Sequence, residues 1–171
     1  MTGVRPWGSR RRGFDRIMLE QRVLLVRPRS ASAVQAIVDG ESGAALGSVR
    51  WKSESRSSWW RLFGRCVMAV HEHEDEPLLF TLRRAWSLLP RREVRDAEDH
   101  PVGSLFGRLV HDRFGRPVAA LQDGLFRSPR RRILAELTST PEGLRLAFSP
   151  DISGQPFVKM LLLAAALQMA G

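Results

Sequence analysis

The sequence is short of several things. One cysteine, Cys66, in 171 residues excludes a disulfide framework and a multi-cysteine metal cluster, and it suits a reducing compartment. Tyrosine and asparagine are absent, and only Lys52 and Lys159 among the 27 cationic residues are lysines. No glycine-rich phosphate loop, serine-centred elbow or paired-carboxylate arrangement stands out, so neither an enzyme nor a bound cofactor is expected. No apolar run reaches the roughly 20 residues that span a bilayer. No apolar stretch follows the N-terminal charges, so no secretory signal is read there.

What is present is ordinary in bulk and unusual in charge. Hydrophobic residues make up 43% and charged residues 26%, the proportions of a single globular domain. The formal net charge is +9, which suits an anionic partner such as lipid head groups or nucleic acid. A GC-rich coding sequence accounts for the preference of Arg over Lys equally well. Residues 1–16 read as a basic, disordered tail, with Arg5, Arg10, Arg11, Arg12 and Arg16 among Gly, Ser and Pro.

The longest apolar run is the last one, Phe157 to Gly171, broken only by Lys159 and Gln168. Its Leu, Ala and Met content predicts a helix over about 156–169, with Pro156 in the first turn. A helix apolar on every side is buried or in a membrane, and this one is too short to cross. The expectation is therefore a rod of about 22 Å with strands wrapped around it.

The body of the chain, 17–171, supplies the strands. Short alternating or apolar runs occur at 23–26, 33–39, 45–52, 66–70, 78–83, 92–96, 101–106, 108–112, 117–121, 133–138 and 144–148. Turn residues separate them, which predicts one antiparallel barrel of about 11–12 strands. A loose repeat (strand, Asp, turn residues, strand) recurs at Val38–Gly43, Val94–Pro101 and Val110–Pro117.

Three stretches carry a family likeness. Phe80–Gly103, Arg108–Val118 and Leu146–Ala166 follow one another in an order that resembles the phospholipid scramblase and LURP-one-related families. The likeness runs over roughly residues 17–170. It implies the tubby C-terminal-like fold: a closed barrel of about twelve strands threaded by the C-terminal helix. Two family traits do not carry over. Scramblases have a lipidated cysteine cluster, and their loop before the last helix is acidic. Here Asp151 is the sole carboxylate between Ser149 and Lys159, too few oxygens for Ca²⁺.

The candidate binding residues are cationic and aromatic. Arg83, Arg84, Arg91, Arg92, Arg130, Arg131 and Arg132 are candidates for gathering on one face to bind anionic head groups. Trp59, Trp60 and Phe63 lie among arginines and suit either membrane contact or a lid over one end of the barrel. The resulting expectation is a non-enzymatic, scramblase- or LURP-one-like domain that binds anionic phospholipid at the inner face of a membrane. The alternative is a basic nucleic-acid- or protein-binding barrel. His71-Glu-His-Glu-Asp-Glu76 reads as a solvated hairpin turn rather than a metal site, and Cys66 as a small core residue. His100 and His111 sit beside turn aspartates, where no general-base role is expected.

Overall fold

The computed structural model describes residues 18–29, 34–51, 66–73, 77–85 and 90–170, with only the backbone described for Cys66, Val67 and Ala170. Twelve antiparallel strands form a ring: β1 (Val23–Val26), β2 (Val34–Asp39), β3 (Ala45–Trp51), β4 (Cys66–Glu72), β5 (Leu78–Arg84), β6 (Arg91–Asp96), β7 (Pro101–Phe106), β8 (Leu109–Asp112), β9 (Pro117–Gln122), β10 (Leu125–Arg127), β11 (Ile133–Thr140) and β12 (Gly143–Phe148). Each pairs with its sequence neighbours, and β1 closes the ring on β12 through Val23↔Ala147 and Val26↔Leu144. Closure leaves no open sheet edge.

The last element, α1 (Pro156–Ala170), fills the barrel. Every residue from Met160 to Leu167 is buried, and two full turns so buried leave no face for solvent. The helix packs against β7 and β8 and also against β12. In a ring of twelve, β7 and β12 stand nearly opposite, so an element that touches both crosses the interior. Inward side chains such as Phe80, Leu82, Val94, Leu105 and Leu146 meet it. Full burial of each such side chain contributes about 1.5–3 kcal/mol.

Lys159 is a charge buried against this core. At 2% exposure, its ammonium donates to the backbone oxygens of Leu19 at 2.8 Å and Gln21 at 3.3 Å, and it lies 5.2 Å from the Phe148 ring centroid. It thereby ties the 3-10 turn Met18–Glu20 to the helix. Burial lowers its pKa from the ordinary 10.5, while Glu20 opposes the shift. A lowered folded pKa means that folding favours the neutral amine. The contribution to stability is therefore least at low pH and grows as pH rises through the folded pKa toward 10.5. Denaturant unfolding of wild type and Lys159→Met across the alkaline range should show the difference moving in favour of wild type. A difference independent of pH contradicts a buried ammonium.

Strand alternation gives the barrel two ends. The last residues of β2, β4, β6, β8, β10 and β12 lie toward the end where α1 begins (the near end), and those of the odd-numbered strands toward the far end. The three sequence repeats are near-end turns built alike. Asp39 accepts from Glu41 N at 3.0 Å and Ser42 Oγ at 2.6 Å, Asp96 accepts from His100 N at 2.8 Å, and Asp112 accepts from Phe114 N and Arg116 N, both at 2.8 Å. Each turn also contains one residue of positive φ: Gly43, Asp99 or Gly115.

Candidate anion-binding surface

The seven arginines singled out in the sequence separate into three groups. The β5–β6 register sets Arg83 opposite Glu93 and Arg84 opposite Arg92. Arg83 bonds the Asp99 carboxylate at 2.8 Å, and Arg95 bridges Glu93 at 3.0 Å and Asp99 at 3.3 Å. The Glu93 and Asp99 carboxylates also raise the Arg95 pKa, through the Glu93 hydrogen bond first. This patch of the outer wall is neutralised, and Arg83 is engaged within it.

Arg84, Arg91 and Arg92 form the second group, at the far end. Arg84 and Arg92 are like charges directly across a strand pair. The Arg92 pKa is lowered, by burial and then by Arg84. Such a juxtaposition is destabilising by a few tenths to about 1 kcal/mol. Arg84→Glu should therefore raise the unfolding free energy by about 0.5–1 kcal/mol in denaturant titration. A loss of stability of that size would show that the Arg84 cation is already paired.

The third group lies on the β10–β11 connection at the near end. Arg131 N donates to Ser128 O at 2.8 Å, Ser128 N to Arg132 O at 2.8 Å, and Arg132 N to Ser128 Oγ at 3.1 Å. These bonds hold Arg131 at φ 61°, a conformation that costs a residue with a β-carbon roughly 1–2 kcal/mol. The result is a tight turn with Arg130, Arg131 and Arg132 all exposed. The neighbouring β8–β9 tip adds two more cations. Phe114 is 67% exposed there, and the guanidinium carbons of Arg113 and Arg116 lie 4.6 and 5.7 Å from its ring centroid. Both contacts are of cation–π type.

Cross-strand pairing runs from Arg91 of the second group toward the third. The partners Arg91, Phe106, Leu109, Ala120, Arg127 and Ile133 follow one another across β6 to β11 in a single outward row. Five interstrand steps make it about 24 Å long. Phe106, Leu109 and Ile133 are 36%, 44% and 45% exposed, whereas the alternate residues Leu105, Val110 and Ala119 are buried. Beside the row, a groove of about 510 Å³ runs over β8, β9 and β10 to the arginine turn. Leu109, Pro117 and Ala120 are among its apolar lining residues, Arg127 and Arg131 line its cationic side, and among the described residues no carboxylate lines it.

No protein-family model matches this chain. The curated proteins and the solved structures likewise give no significant match.

Other sequence candidates stand as follows. Trp59, Trp60, Phe63 and the basic tail lie outside the described residues, as do three residues of the His71–Glu76 segment. Asp96, Glu98 and His100 bring potential ligand atoms within 4.8 Å of one another, but this is the exposed β6–β7 turn, whose Asp96 carboxylate already accepts a backbone N–H. Among the described residues, no helix is long and apolar enough to cross a membrane. Sequence reasoning missed Phe106, Leu109, Phe114, Ile133 and the cations Arg113, Arg116 and Arg127. The signal for Phe106, Leu109, Arg127 and Ile133 is strand register, and that for Arg113, Phe114 and Arg116 is their place in one hairpin tip.

Proposed function

We propose that the chain is a non-enzymatic module that docks on anionic phospholipid head groups, through the near-end corner of β8 to β11. The observation that carries this reading is Phe114. It stands exposed at a hairpin tip between two guanidiniums, beside the turn that presents Arg130, Arg131 and Arg132. An aromatic ring among cations suits a bilayer interface, where the ring enters the head-group layer and the cations meet phosphate. With Arg127, six cations lie on this corner, each contributing about 1 kcal/mol near an anionic surface. The resemblance to scramblase and LURP-one-related sequences supports the same substrate class, at the inner face of a membrane. Arg91 stands at the far end of the row, with Arg84 and Arg92 on the opposite face of the sheet there.

Co-sedimentation tests the reading. The full chain should pellet with phosphatidylcholine vesicles that contain phosphatidylserine, not with phosphatidylcholine alone, and added salt should release it. Indifference to lipid charge overturns the proposal. Binding to duplex or single-stranded nucleic acid with a steep salt slope, without vesicle binding, selects the basic nucleic-acid module instead.

A further inference from the structure

We propose that the groove over β8–β10 holds one anionic amphiphile, with its phosphate between Arg127 and Arg131 and its chain along Leu109, Pro117 and Ala120. The inference rests on the docking reading, since the leaflet beneath the corner is the source of such a lipid.

Size, charge and backbone geometry meet at this groove. Its volume of about 510 Å³ falls within the range of about 300–1,000 Å³ that small-molecule sites occupy. Arg127 and Arg131, with no lining carboxylate among the described residues, leave a positive site that an anion complements. A free phosphate would use the guanidiniums and leave the apolar floor in water. A neutral alkyl chain would cover the floor and leave two cations unmatched. An amphiphile with a phosphate head satisfies both. The turn that carries Arg131 is closed by three hydrogen bonds of Ser128, Arg131 and Arg132, so its backbone is held beside the groove that the residue lines. His111, half-buried in the lining, adds a further polar contact.

Calorimetric titration of the full chain with dodecyl phosphate, kept below its micelle concentration, tests the proposal. Inorganic phosphate and dodecyl maltoside serve as the head-only and neutral probes. Saturable binding of one dodecyl phosphate per chain is expected, weakened roughly tenfold or more in both Arg131→Gly and Ala120→Trp. Arg131→Gly relieves the backbone, so its thermal midpoint should hold or rise, and its loss of binding is then no folding defect. Absence of saturable binding, equal affinity for inorganic phosphate, or indifference to both substitutions overturns the proposal. Sedimentation with anionic vesicles in parallel separates the two readings. Vesicle binding without dodecyl phosphate binding removes the groove and keeps the dock. Dodecyl phosphate binding without vesicle binding keeps the groove and removes the dock.

Discussion

Gly103→Ala is expected to lower the unfolding free energy by about 3 kcal/mol, at the upper end of the usual penalty for overpacking. A β-carbon at Gly103 would stand 2.2 Å from the backbone oxygen of His111 on β8 and 2.8 Å from Leu161 Cδ2 on α1. The first neighbour is part of the β7–β8 ladder and cannot move without breaking it. The second is a core side chain in close packing, where no spare volume exists. Adding Leu161→Ala should recover little, because the carbonyl clash remains. Gly154→Ala serves as the control: nothing lies within 4 Å of its β-carbon, and stability should be nearly unchanged. Denaturant midpoints of the three variants check the set. Tolerance of Gly103→Ala would show that β7 and β8 do not approach the helix in this way.

The second large effect concerns binding. Replacing Arg130, Arg131 and Arg132 together by Gln should weaken association with anionic vesicles about a hundredfold, from three cations at about 1 kcal/mol each. The same three charges removed at the other end of the barrel, as Arg84, Arg91 and Arg92 to Gln, should cost far less. The two triples have identical net charge, so the comparison isolates location from total charge. Sedimentation across a lipid concentration series measures both. Equal losses would mean that the positive charge of the chain acts as a whole and that no corner is special.

Much of the fold was legible because its signals are local. Pro156 and the mostly apolar run behind it gave the helix within one residue of its end at Ala170. The aspartates at 39, 96 and 112 marked three near-end turns, since each caps backbone N–H groups a few residues on. Eleven of the twelve strands were read, and β10 was missed. Leu125-Phe-Arg127 is only three residues long, too short for any periodicity, although Asp123-Gly124 before it is a two-residue hairpin turn with both φ positive.

The candidate site was less legible because it depends on pairing. Whether Arg83 is available or engaged depends on Asp99, 16 residues away, and that contact exists only once the β6–β7 turn folds back. The expected single gathering of seven arginines gave way to three groups for the same reason. Phe114 looked like one more turn residue, and Leu109 like one more strand residue. The pairing of Phe106 with Leu109 and Leu109 with Ala120 shows Leu109 on an outward wall, and the β8–β9 tip leaves Phe114 exposed. Lys159 looked like an interruption of the helix, and its role at the mouth of the barrel needed the carbonyls of Leu19 and Gln21.

Thiol protection at Ala164, Ala165 and Ala166 tests most directly whether the C-terminal helix is enclosed by the ring. These residues point about 100° apart and together cover about 200° of the circumference. In a Cys66→Ser background, each is replaced singly by Cys, and the rate of alkylation is measured under native conditions. An enclosed helix predicts that all three thiols react only as fast as the protein globally unfolds. Rapid labelling at one of the three, with the others protected, would mean that the helix has an open face and lies against the outside of the barrel.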